Sequence, residues 1–240
     1  MTKEVEPMLA DNLTQVRGRI AEALQHRGGP METGTEVTLV AVTKNHPPEI
    51  IPAIQALGVS NIGENRVQEA RAKQELLGHA GTWHLIGHLQ GNKAKKAVAL
   101  FDLIESVDSR ELLAELDKEA GKLGKKQDIL LQVNVAREPQ KTGFSPEDYE
   151  AVLPLLDQYG NLSVRGVMVI APATDDEALI RRVFHGGYER FCELKARRPR
   201  IDWLSMGMSG DFPLAVEEGA NLVRVGTALF GPRDYSLRNY

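Results

Sequence analysis

The sequence is nearly devoid of cysteine: Cys192 stands alone among 240 residues. One thiol excludes an intrachain disulfide and fits a reducing compartment. Blocks of like charge are also missing. The chain sets 29 Lys and Arg against 33 Asp and Glu, a formal net charge of −4, with a pI of about 5.9. That balance argues against nucleic acid or an anionic membrane as the main partner. No apolar run approaches the roughly 20 residues that cross a bilayer. The N-terminal MTKEVEPMLADN is acidic and lacks an apolar core, so it does not read as a signal peptide. There is no repeat of constant period and no sign of a second domain, and GGPMETGTE (28–36) is the only linker-like stretch. These absences leave a soluble, cytoplasmic chain with a single domain over residues 1–240. Its 42% hydrophobic and 26% charged residues are those of a globular protein, and its length suits one α/β barrel.

What is present alternates with a regular beat. Leu9, Leu13, Val16, Ile20 and Leu24 recur at spacings of three and four, which predicts an N-terminal amphipathic helix over 8–27. Short β-branched runs follow at 37–42, 59–62, 82–86, 101–105, 128–135, 163–170, 201–206 and 221–225. Helical patterns lie between them at 48–57, 64–77, 91–99, 109–123, 146–158, 175–197 and 212–218, with a short one after 227. Eight strands each followed by a helix are what a closed parallel (β/α)8 TIM-type barrel over 37–235 requires. An open doubly wound sheet shares the beat but usually has fewer strands.

Barrels of this kind carry their chemistry at the C-terminal ends of the strands, and the polar, glycine-rich segments fall there. Lys44 follows the first strand, GENR (63–66) the second, GHLQGNK (87–93) the third, NVAREPQKTG (134–143) the fifth, GMSGD (207–211) the seventh and GTALFG (226–231) the eighth. Ser209 and Gly210 precede one short helix, and Gly226 and Thr227 open another. Two such helix starts offer backbone N–H groups and hydroxyls to an anion, and barrels commonly hold phosphate after strands 7 and 8. The plainer reading is that Ser209 and Thr227 simply cap their own helices.

Lys44 and that cradle are expected to face one another across the barrel mouth. A partly desolvated lysine there can form an imine with an aldehyde, so a phosphorylated aldehyde satisfies both halves: pyridoxal 5′-phosphate (PLP), or a sugar-phosphate carbonyl. Arg224, two residues before Gly226, points inward by strand alternation. A buried guanidinium needs an acceptor, and the pyridine nitrogen of PLP is suitable. The competing reading is a structural ion pair with Glu64 or another barrel carboxylate.

LVAVTKNHPPE, GENRVQEA, WHLIGHLQGNK, QVNV followed by KTGF, RGVMVI, LSMGMSGD and VRVGTALFG together resemble the YggS/PROSC family of pyridoxal phosphate homeostasis proteins. That family shares its barrel with the N-terminal domain of alanine racemase, the type III fold of PLP proteins. The resemblance runs in order from about residue 8 to 235. It implies Lys44 as the imine lysine, with Ser209, Gly210, Gly226 and Thr227 around the phosphate, Arg224 by the pyridine nitrogen and Asn65 close to the ring. Three positions depart from the family pattern. His88 stands for a proline, Gly91 for a serine, and His46 for a second lysine two residues past the first.

Other clusters read plainly. His84 and His88 sit on a strand and its exit, where four residues span about 13 Å, too far for one metal ion. Lys93, Lys95 and Lys96 read as a solvated face. Lys141 matches a family lysine at the rim and is either a second aldehyde-accepting amine or a loop lysine. Cys192 reads as a packing residue. The implied function is to hold PLP as an imine, buffer it and pass it to apo-enzymes, without turnover. The alternatives are a PLP-dependent racemase or decarboxylase, or an imine-forming aldolase. Racemases of this fold need a second domain and a partner-subunit tyrosine, and this chain stops at Tyr240. An aldolase more typically carries its lysine late in the barrel. With no heptad or long exposed apolar stripe, a monomer is expected.

Overall fold

The computed structural model describes residues 5–232; positions 233–235 of the expected barrel span lie outside them. Eight parallel strands close in sequence order into a barrel. They are β1 (Thr38–Val42), β2 (Asn61–Glu64), β3 (Thr82–Leu85), β4 (Leu103–Val107), β5 (Gln127–Gln132), β6 (Leu162–Met168), β7 (Trp203–Ser205) and β8 (Leu222–Val225). The helices between them are α2 (Ile50–Ala56), α3 (Val67–Leu77), α4 (Ala94–Leu100), α5 (Arg110–Lys122), α6 (Pro146–Val152), α7 (Glu177–Arg197), α8 (Phe212–Glu217) and α9 (Thr227–Phe230), with α1 (Val5–Gln25) before β1. Among the described residues no helix is long and apolar enough to cross a membrane.

Two apolar layers hold this shape. Val40, Leu103, Leu130, Met168 and Leu222 are buried inside the barrel, one residue from each of five strands. A larger core lies between the strands and the helices. α1 closes the ring from outside: Leu9, Leu13, Val16 and Ile20 are buried, and Asn12 donates to the Leu229 carbonyl at 2.8 Å. Helix starts follow the local chemistry. Ser109, Ser145 and Asp176 cap α5, α6 and α7, each accepting from an N–H in the first turn.

Two element boundaries move for physical reasons. β5 ends at Gln132, not 135, because the chain turns at Val133 to bridge Phe144. β2 runs to Glu64, and α3 starts three residues later than its pattern suggests, because Glu64 is buried and bonded in place.

Candidate functional site

Barrel closure corrects one expectation at once. β8 pairs directly with β1, with Val40 opposite Arg224 and Ala41 opposite Val225. Lys44 and the loop after β8 are therefore neighbours at one corner of the mouth. A Cβ added to Gly226 would meet the Val42 carbonyl at 3.1 Å, and the buried His46 ring lies 5.3 Å from that of Phe230 on α9. Lys44 itself is half-buried, two residues past the end of β1.

Beside it, the loops after β7 and β8 converge. Ser209 Oγ accepts from the backbone N–H of Gly226 and of Ala228, both at 3.2 Å. Ser209 and Thr227 do not cap their own helices, which corrects the plainer reading. The N-cap of α8 is Asp211 and that of α9 is Gly226; Ser209 reaches across to the neighbouring loop, and Thr227 is exposed. A Cβ built on Gly210 would have no heavy atom within 4 Å, so the floor of the loop is open. A hydroxyl oxygen already accepts from two converging N–H groups over open space, and this donor set fits a phosphate.

Arg224 is 3% exposed and lies inside the barrel. It donates to Ser205 Oγ at 2.5 Å and to the Val169 carbonyl at 3.0 Å, and lies 3.9 Å from Glu105 Oε2. The ion-pair partner is thus Glu105 and not Glu64, which points outward. Ser205 donates onward to Glu105, whose other oxygen meets His84 Nδ1 at 2.7 Å. His84 Nε2 in turn meets Asn61 at 3.1 Å. Burial would raise the Glu105 carboxyl, but His84, then Arg224 and Ser205, hold it below the ordinary range. Burial lowers Arg224, opposed by Glu105 and Asp211. A guanidinium has five N–H donors, and its two bonds here leave others for an acceptor at the mouth.

Behind Lys44, between the barrel and α3, lies a cluster that no motif announced. Lys73 is 3% exposed, Glu64 0% and Glu69 7%. Lys73 Nζ donates to Glu64 Oε1 at 2.7 Å, to Glu69 Oε1 at 2.9 Å and to the Thr43 carbonyl at 2.7 Å. Glu69 also accepts the N–H of Asn45 at 2.6 Å. Burial raises Glu64 to about 7, against the pull of Lys73.

The remaining residues divide between rim and core. Gly87 lacks a Cβ that would collide with the Asn65 backbone, so the exit of β3 presses against Asn65. Asn65 lines a cleft of about 440 Å³ with Arg66, His88, Gln90 and Lys93; the cleft lies at the exits of β2 and β3, and Lys44 and Ser209 are not among its walls. His88 is half-exposed and pairs with Asp108 at 2.9 Å, while His84 is a core histidine. No group of three metal-ligating side chains exists among the described residues. Lys95 and Lys96 are exposed. Lys141 is tied down, donating to the Ala171 carbonyl at 2.8 Å and pairing with Glu138 at 2.6 Å. Cys192 packs against the core from α7.

Comparison with known proteins agrees with this fold. Residues 19–234 match the family model for the alanine racemase N-terminal domain. A pyridoxal phosphate homeostasis protein of Pseudomonas aeruginosa is 38% identical over 228 residues, covering 95% of this chain and 96% of that one. The PipY protein of Synechococcus elongatus, solved with PLP bound, is 43% identical, covers 93% of this chain and all of its own, and superposes with a TM-score of 0.79. An alanine racemase of Streptomyces lavendulae, 18% identical with a TM-score of 0.73, shares the fold; this chain covers 59% of it. The chain belongs to the alanine racemase N-terminal domain family and, within it, to the pyridoxal phosphate homeostasis proteins.

Proposed function

We propose that this protein holds pyridoxal 5′-phosphate at Lys44 and takes part in intracellular vitamin B6 homeostasis, without catalytic turnover. One observation carries the reading: a half-buried lysine after β1 stands next to a cradle in which Ser209 Oγ, Gly226 N–H and Ala228 N–H converge. When bound, the cofactor supplies an aldehyde that condenses with an amine, a phosphate and a pyridine nitrogen. Lys44 provides the amine. Ser209, Gly210, Gly226 and Thr227 surround the phosphate, Asn65 flanks the ring, and Arg224 donates to the ring nitrogen.

Glu105 keeps Arg224 paired in a dry interior, so the guanidinium donates and does not give up its proton. An unprotonated ring nitrogen is a weaker electron sink, a feature that alanine racemases share and still turn over with. The reading extends to a monomeric, single-domain cytoplasmic carrier that hands PLP to apo-enzymes. The lone cysteine and the mixed charge of the chain support that setting.

Borohydride reduction of the PLP-loaded protein, followed by peptide mass mapping, tests the assignment. The pyridoxyl label is expected on Lys44, and Lys44→Ala should lose it while melting at nearly the wild-type temperature. A label principally on Lys141 or Lys93 would overturn the reading.

A further inference from the structure

Burying a lysine costs several kcal/mol unless its ammonium is fully matched, and an apolar residue of similar size usually serves stability as well or better. Lys73 is matched completely. Its three N–H donors meet three acceptors: Glu64, Glu69 and the backbone carbonyl of Thr43. That carbonyl belongs to the peptide entering Lys44. The peptide leaving Lys44 is held by the same ion pair, because Glu69 Oε1 accepts both Lys73 Nζ and the Asn45 N–H. Asn45 sits at φ 58, a left-handed conformation that a side-chain-bearing residue adopts at some cost. The Thr43 hydroxyl adds another tie, donating to Glu64 Oε1, which places it at 2.5 Å. The backbone on both sides of Lys44 is therefore bolted to α3, the Thr43 carbonyl by the buried ammonium of Lys73 and the Asn45 N–H by Glu69.

We infer that Lys73 is a positioning residue for Lys44: with Glu69 it clamps the 43–45 backbone and so fixes where the Lys44 amine points. A misplacement of about 1 Å in a reacting group can cost on the order of 100-fold in rate, and the Lys73 bond is what ties the Thr43 carbonyl to α3. The inference rests on Lys44 being the attachment point for PLP.

The test separates covalent capture from simple binding. The probes are pyridoxal 5′-phosphate and 4′-deoxypyridoxine 5′-phosphate, which keeps ring and phosphate but has a methyl group where the aldehyde stood. Lys73→Met should slow borohydride-trappable attachment at Lys44 by about tenfold or more, while affinity for the aldehyde-free analogue changes by less than about threefold. Lys73→Arg should not rescue, because a planar fork cannot direct three bonds from one nitrogen. Lys73→Met takes the cation from both Glu64 and Glu69. If it does not fold, Glu64→Gln with Lys73→Met removes one of the two carboxylates along with the ammonium and gives the same comparison. Unchanged attachment, or equal losses for both probes, would overturn the clamp. The wild-type control keeps the two readings apart: a label away from Lys44 fells the site assignment, whereas a Lys44 label unaffected by the Lys73 changes fells the clamp alone.

Discussion

Two buried ionic clusters sit on opposite sides of the same barrel wall. Glu105 lies inside with Arg224, Ser205 and His84; Glu64 lies outside with Lys73, Glu69 and Thr43. Both carboxylates are 0% exposed, yet they are driven in opposite directions. Glu105 has donors on both oxygens and is held below the ordinary range. Glu64 crowds its donors onto Oε1 and leaves Oε2 buried with no partner, and burial lifts it to about 7. Depth does not decide the charge state of a carboxylate. The neighbours do: His84, Arg224 and Ser205 outweigh burial at Glu105, whereas at Glu64 burial, joined by the like charge of Glu69, outweighs Lys73.

The contrast can be broken most sharply from the inside. Glu105→Gln removes the counter-charge of a buried arginine, and stranding one member of such a pair typically costs about 3–5 kcal/mol. Urea denaturation of the cofactor-free protein should show a loss of that size. A loss under about 1 kcal/mol would mean that Ser205 and Val169 alone satisfy Arg224.

The outer cluster should respond with the opposite sign. Glu64 is raised from 4.5 to about 7, so the folded state binds this proton more tightly than the unfolded chain does. Its contribution to stability is present at low pH and is lost as pH rises through about 7. At about 1.4 kcal/mol per pH unit, that interval corresponds to a swing of about 3 kcal/mol. Glu64→Gln, which cannot ionise, should escape the swing and gain on wild type between pH 5 and pH 8. Parallel stability curves for the two proteins would show that Glu64 is ordinary.

The rim cradle extends the comparison to a wetter setting, where effects should be smaller still and visible chiefly through the ligand. A hydrogen bond to a charged phosphate is worth about 1.5–3 kcal/mol, so Ser209→Ala should weaken PLP binding by roughly 10- to 150-fold. Pyridoxal, which lacks the phosphate, should be much less affected. Thr227→Val should weaken PLP less than Ser209→Ala and leave the melting temperature alone, since Thr227 is exposed. Equal losses for both aldehydes would strip the cradle of its ligand.

Much of this was legible from spacing. All eight strands and the polar exits follow from alternation and from where apolar runs stop, because burial on both faces of a parallel strand leaves a continuous apolar signature. Ring closure was legible as a fold but not as a geometry: the reading placed Lys44 opposite a cradle that β1–β8 pairing sets beside it. The Glu64–Glu69–Lys73 cluster went unread because a charged side chain within a helical pattern carries no mark of burial of its own in the sequence. A signal was present, since Lys73 continues the buried spacing of Val67 and Ala70 on α3. The partner of Arg224 was legible as a barrel carboxylate but not as Glu105. Glu105 lies well over a hundred positions upstream, and only the closed ring brings β4 and β8 within reach of a common serine.

The bond from Asn12 to Leu229 joins positions 217 apart, and the Lys44 corner needs β8 and α9 beside β1. Contacts this distant in sequence form late and slowly. A nascent chain arrested before β8 would carry Lys44 without its cradle, and pulse-labelling such chains with PLP and borohydride should find little attachment there. Cofactor capture would thus report completed synthesis: a half-made polypeptide would not titrate the vitamin pool, and only finished molecules would count toward its buffering.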